Sequence, residues 1–368
     1  MLKISTFSIL MLSMLSYICT WAAVREQPGH QLSLDYQAAE ELIRLVDLRS
    51  VSDAQLSRVA SLDANKLLIQ KVSGSTGGNE QVFKTTLKEM ITTGRVKGAD
   101  PYQWSRVKKE LPNTKYLIAY LKRNRAAFVS DILARIKAYT PASIPASNLR
   151  ACLLLGGTAT GFVMGDDGTF CVALQYFGND FDGLKTVMVH ELYHSVQQSG
   201  QGLRKKDLSV KPSYNMKASY FIAYNLWSEG TASFLENFRS MRNPGTFSKT
   251  QQENIKKNDA RLLVNFRVVE MMLYKIYTDT NARYGAVYDI GFSPVYEELG
   301  YSVGAEMAIQ LDRFLGKENL ASMVSSDPVE FIISYIKLYH DHPKEVPYRF
   351  DKSTEAIVEK LAGWKNKI

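Results

Sequence analysis

Val187-Met188-Val189-His190-Glu191-Leu192-Tyr193-His194-Ser195 is the stretch from which the rest of the chain is read. An α-helix turns about 100° per residue, so His190 and His194, four positions apart, lie one above the other on one face. Two imidazoles then converge on one point, as the first two ligands of a tetrahedral Zn²⁺ must. Glu191, displaced by one residue, reaches toward a water at that point instead of the metal. The three apolar residues before His190 suit a buried helix, with the site at the floor of a cleft. A lone histidine on an apolar face is ordinarily a packed core residue; a pair at this spacing around a glutamate, in a chain with only 5 histidines, is not.

The flanks predict what surrounds that helix. Upstream, Leu149 to Leu155, Thr160 to Met164 and Thr169 to Tyr176 read as short strands joined by Gly156-Gly157 and by Gly165-Asp166-Asp167-Gly168. Asp-Gly between apolar runs is a hairpin signal, so a small antiparallel sheet packed on the histidine helix is expected. Such strands offer either simple packing or an edge to which an extended peptide adds itself. Asp180 or Asp182 can cap the helix, which runs to about Gln198 and is ended by Gly200 and Gly202. A second long helix is predicted from Lys217 to about Met241. It carries Glu229 among Trp227, Ala232 and Phe234, where an unpaired carboxylate is costly to bury, so a metal is its natural partner. Glu236, two turns further along, is the alternative.

Residues from about 34 to 140 read as amphipathic helices, for example Leu42-Ile43-Leu45-Val46 and Phe128-Ile132-Leu133-Ile136, with no repeat of fixed period. Pro141 and Pro145 break the pattern. The fold class is therefore α+β and mostly helical, with a helical N-terminal domain over 23–145 and a catalytic domain over 146–368. His340-Asp341-His342, after a predicted helix from Val329 to Leu338, reads as a solvated turn. Ser353 to Trp364 reads as a helix packed on the catalytic part.

Length and composition agree with a large globular protein: 368 residues, 45% hydrophobic and 22% charged. The net charge of +8 is spread over scattered pairs such as Lys108-Lys109 and Lys256-Lys257, which describes a solvated surface and not a nucleic-acid interface. Residues 1–22 read as a secretory signal peptide: Lys3, an apolar run from Ile9 to Cys19 too short for a comfortable membrane span, and small residues at Ala22-Ala23. A secreted or periplasmic protein with no stable membrane insertion after cleavage is expected. Cys152 and Cys171 then remain, as one disulfide or two buried thiols.

His190-Glu191-x-x-His194 with Glu229 in Trp227-Ser-Glu-Gly-Thr-Ala-Ser233 resembles the gluzincin clan of zinc metallopeptidases, whose thermolysin-like members take a third ligand from a downstream helix glutamate. Gly300-Tyr301-Ser302-Val303-Gly304-Ala305-Glu306 is similar to a later helix in that clan's predicted zinc-dependent peptidases. The likeness covers roughly residues 150 to 325. It departs from thermolysin in a longer gap between His194 and Glu229, and in Ser233 where an aspartate follows the ligand glutamate. No third histidine stands at metzincin spacing.

The resemblance implies Zn²⁺ on His190, His194 and Glu229, a position open to water, and Glu191 as the general base. Tyr301, with Tyr296 behind it, is the candidate to steady the oxyanion. A peptide or protein substrate follows. The rivals are another zinc amide hydrolase and an exported, non-catalytic binding protein that keeps the fold; retention of Glu191, which metal binding does not need, speaks against the second.

Overall fold

A computed structural model describes residues 29–164 and 169–368. The leader expected over 1–22 and the turn at 165–168 lie outside the described residues. The chain begins with β1 (Gln31–Asp35), followed by α1 (Gln37–Val46), α2 (Asp53–Ala60), α3 (Asp63–Thr76), α4 (Glu80–Thr93), α5 (Trp104–Arg123) and α6 (Arg125–Ala138). Strands β2 (Asn148–Leu154), β3 (Gly161–Met164) and β4 (Thr169–Ala173) come next. The remainder is helical: α7 (Phe181–Gly202), α8 (Tyr214–Leu235), α9 (Thr246–Ala260), α10 (Leu262–Thr278), α11 (Tyr284–Phe292), α12 (Leu299–Leu315), α13 (Lys317–Ser322), α14 (Val329–Asp341) and α15 (Lys352–Ala362). The fold is α+β and mostly helical, as its periodicities predict.

The sheet is mixed, not wholly antiparallel. Its order is β1-β2-β4-β3, with β1 and β4 both parallel to β2 and only β3 antiparallel to β4. Two features account for the difference. Gln31-Leu-Ser-Leu-Asp35 alternates, with Leu32 and Leu34 buried, but five residues are too few to stand out beside the helices that follow. Gly156 and Gly157 hold φ of 106° and 79°, a region open to glycine at little cost, and Gly157 N–H donates to the Tyr102 carbonyl (2.8 Å). The chain is thus led away from a tight β2–β3 hairpin, and β4 takes the place beside β2. β3 is left at the edge.

Two hydrophobic cores follow from this order. The first gathers the sheet, α1 to α6 and the inner face of α7, with Phe83, Trp104, Phe170 and Val189 among its fully buried side chains. The second is built from α8, α10 to α12, α14 and α15 around Trp227, Phe266, Val303 and Tyr335. Packing passes from one core to the other between α7 and α8, and a cleft is left along that seam.

Local chemistry sets the position of each helix at the seam. Asp180 caps α7 by accepting from Gly183 N–H (2.8 Å), and its other oxygen accepts from Ser248 N–H (2.7 Å) at the start of α9, so one buried carboxylate fixes two helix starts. Ser213 caps α8 through Met216 N–H (3.2 Å). At the far end Arg204 pairs with Asp327, which also accepts from the Tyr220 hydroxyl of α8 (2.9 Å). Cys152 and Cys171 are buried side by side in register across β2 and β4, without a disulfide.

Candidate metal centre

α7 carries His190 and His194 on the face it turns toward α8, and α8 presents Glu229 back across the seam. The three donor atoms form a compact triangle. His190 Nε2 and His194 Nε2 are 3.1 Å apart, and Glu229 Oε2 is 3.3 Å from each. Ligand bonds of roughly 2.0–2.1 Å at tetrahedral angles separate donor atoms by about 3.3 Å, so the triangle has the size a zinc ion needs. Among the described residues it is the group of this kind that gathers histidine and carboxylate donors within 4.8 Å of one another.

The surroundings prepare those atoms for a cation. Burial alone would raise the Glu229 carboxyl, but His194 and His190 hold it well below the ordinary carboxylate range. Burial alone would lower both histidines. It is outweighed at His190 by Glu236 and Glu229, which hold that imidazole well above its usual value, and at His194 by Glu229. Two buried imidazole nitrogens pointed at each other beside a carboxylate require a positive charge between them, whether proton or metal.

Each imidazole is oriented from behind. His194 Nδ1 lies 2.7 Å from Gln197 Oε1. The Gln197 amide nitrogen donates to the Ser228 carbonyl (2.9 Å) and the Thr231 hydroxyl (2.8 Å), which turns its oxygen toward the ring. Nδ1 of His194 must then carry the hydrogen, leaving the Nε2 lone pair on the triangle. On the other ring, Glu236 Oε1 stands 2.9 Å from His190 Nδ1, off the line of the N–H, as a mainly electrostatic contact.

Glu236 is therefore not an alternative ligand on the Glu229 side. α8 stops at Leu235, short of Met241, and Glu236 has extended backbone, so its side chain passes behind His190. Ser233, in place of the expected aspartate, lines the neighbouring cavity, while the carboxylate behind the histidine comes three residues later. The role of Gln197 is not legible from sequence alone, because it depends on a carbonyl and a hydroxyl of the neighbouring helix; its position three residues after His194 is the one local signal.

Glu191 lies beside the triangle and lines both cavities that open from it, about 560 Å³ and 400 Å³ in volume. Tyr301, on α12, borders both as well and stacks on His190 with ring centroids 6.1 Å apart. Burial first, and then the nearby Glu229 carboxylate, push its hydroxyl well above the ordinary tyrosine range, so it remains an O–H donor. Tyr296 is 52% exposed and lines neither cavity. His340 and Asp341 belong to the exposed end of α14; His340 pairs with Glu355 (3.0 Å) and His342 packs on Phe314, away from the centre.

A family model described as "Putative zinc dependent peptidase (DUF5700)" matches residues 56–344, and the chain belongs to that family. Neither the curated proteins nor the solved structures searched gave a match.

Exchange of Gln197 for methionine, which keeps the volume and removes the hydrogen bonds, is expected to weaken zinc binding about 10- to 100-fold. Competition against a chromophoric chelator measures it, with circular dichroism to check the fold. Unchanged affinity in a folded variant would mean that the amide does not orient His194.

Proposed function

We propose that the protein is a zinc-dependent endopeptidase acting outside the cytoplasm, with His190, His194 and Glu229 as metal ligands and Glu191 as general base. The observation that supports the endopeptidase reading is that two cavities, not one closed pocket, border the centre. Both cavities have His190, Glu191 and Tyr301 in their walls, and a peptide seated in the two of them would cross those side chains without ending there. β3 follows the same course. Gly161 lines the larger cavity and Val163 the smaller, and among the described residues no strand pairs with the outer edge of β3. An extended peptide laid along it gains main-chain hydrogen bonds on either side of the bond to be cut.

Lewis acidity toward a water and toward the scissile carbonyl is what zinc supplies in that position. The protein's own groups do the rest. Glu191 takes the proton of the attacking water and delivers it to the leaving amine. Tyr301, held as an O–H donor by its burial, offers a hydrogen bond to the negative charge that grows on the carbonyl oxygen. Gln197 and Glu236 keep the imidazoles aimed, and the buried faces of α7 and α8 exclude bulk water from behind.

The export assignment rests on Lys3, the Ile9 to Cys19 run and Ala22-Ala23. Among the described residues no helix is long and apolar enough to cross a membrane. Metal content by mass spectrometry, run beside cleavage of a broad library of terminally blocked peptides, tests the whole reading. Stoichiometric zinc with internal cleavage is expected; zinc without any cleavage would remove the enzymatic claim, and cleavage of unblocked peptides alone would point to an exopeptidase.

A further inference from the structure

We propose that the larger cavity receives the arginine or lysine side chain of a substrate residue next to the scissile bond, with the Glu298 carboxylate as its anionic partner; this rests on the peptidase reading above. The cavity holds about 560 Å³, within the roughly 300–1,000 Å³ of ordinary ligand pockets. Phe238, Phe247, Ile255 and Pro294 contribute apolar wall, which suits the hydrocarbon stem of a long basic side chain.

The charges lining the cavity single out Glu298. Arg239 is engaged by Asp259, and Lys257 by Glu297, which Arg261 also holds at 2.5 Å. Glu236 faces His190, and Glu191 is assigned to proton transfer. Among the described residues no lysine or arginine forms an ion pair with Glu298. It lines the same cavity as His190 and Tyr301, where Glu236 adds negative charge, His190 opposes it and Glu229 adds to it again.

The backbone is arranged to put it there. Glu297 and Glu298 have φ of 63° and 53°, a region that side chains other than glycine seldom occupy. The first is secured by its two ion pairs and by Asn258, whose amide donates to the Glu297 carbonyl (3.0 Å). Glu298 precedes α12 without capping it, so its carboxylate is not spent on its own helix. Burial, and then Glu236, push that carboxyl above its usual range, and a cation beside it relieves both.

The zinc-loaded protein is assayed on N-acetylated peptides that differ only in having arginine, lysine or norleucine beside the scissile bond. The parent is expected to favour the basic residues, and Glu298→Gln to reduce the arginine-to-norleucine ratio of kcat/KM by roughly 10- to 100-fold. Calorimetric titration of the zinc-stripped protein with arginine amide supplies a readout free of catalysis: the parent should bind it and Glu298→Gln should not, with equal melting temperatures as the check on folding. Cleavage without basic preference, or a ratio unmoved by Glu298→Gln, overturns the assignment while leaving the peptidase reading intact. If the loaded parent cleaves nothing, the peptidase reading falls and the titration alone decides: equal or absent binding in parent and variant refutes the cation site.

Discussion

Replacement of Glu191 by glutamine is expected to lower kcat/KM on any cleaved peptide by about 10²- to 10⁴-fold, the range a positioned general base contributes, while zinc content stays at the parental level. At 1.36 kcal/mol per tenfold that is about 3–5 kcal/mol of transition-state stabilisation removed by exchanging one oxygen for a nitrogen. The two readouts separate because Glu191 contributes no donor atom to the triangle of His190, His194 and Glu229. The glutamine keeps the size of the side chain and loses the ability to accept a proton. The contrasting variant is Glu229→Gln, in which zinc itself should be lost, since the triangle then offers two neutral rings and no anionic ligand. Full activity in Glu191→Gln would show that another group takes the proton. Loss of zinc from that variant would place Glu191 among the ligands.

The histidine pair was legible because its meaning is carried by helical periodicity alone: positions four apart share a face wherever the helix lies. Glu229 was legible for a different reason, being a carboxylate among Trp227, Ala232 and Phe234 that needed a partner. What supports these side chains was hidden. Whether Glu236 points toward the ligand triangle or behind His190 turns on α8 ending at Leu235, and nothing in Phe234-Leu235-Glu236-Asn237 marks that end as glycine or proline would. Gln197 depends on a carbonyl and a hydroxyl supplied by another helix. The sheet shows the same limit. Its strands were visible as apolar runs, but the insertion of β4 between β2 and β3, and the pairing of β1 with β2, are long-range choices that no local pattern records. Tyr301 was indicated only by resemblance, and its arrival beside His190 rests on two small residues far apart in sequence.

Those residues are Gly230 and Gly304, and Gly230→Ala is expected to destabilise the protein by about 3 kcal/mol or more and to weaken zinc binding with it. α8 and α12 cross where the two glycines meet. A Cβ built on Gly230 would stand 2.4 Å from the Cα and carbonyl carbon of Gly304, and one on Gly304 would stand 2.3 Å from the Leu226 carbonyl oxygen. Carbon atoms in contact prefer about 3.5–4.0 Å, so the helices would have to part by roughly an ångström. The obstacle is backbone on both sides, with no flexible side chain to give way. The opposing effect is helix propensity, by which alanine gains about 1 kcal/mol over glycine, too little to offset the clash. Parting the helices also moves Glu229, the residue before Gly230, and Tyr301, one turn before Gly304, so stability and metal affinity should fall together. Gly74→Ala in α3 is the matching control: nothing stands within 4 Å of its added Cβ, and a small gain in stability is expected. Urea unfolding midpoints compared with chelator-competition affinities test the pair of variants. A Gly230→Ala protein as stable as the parent, with zinc still tightly held, would show that the crossing tolerates separation and that something other than close backbone contact brings Tyr301 to the centre.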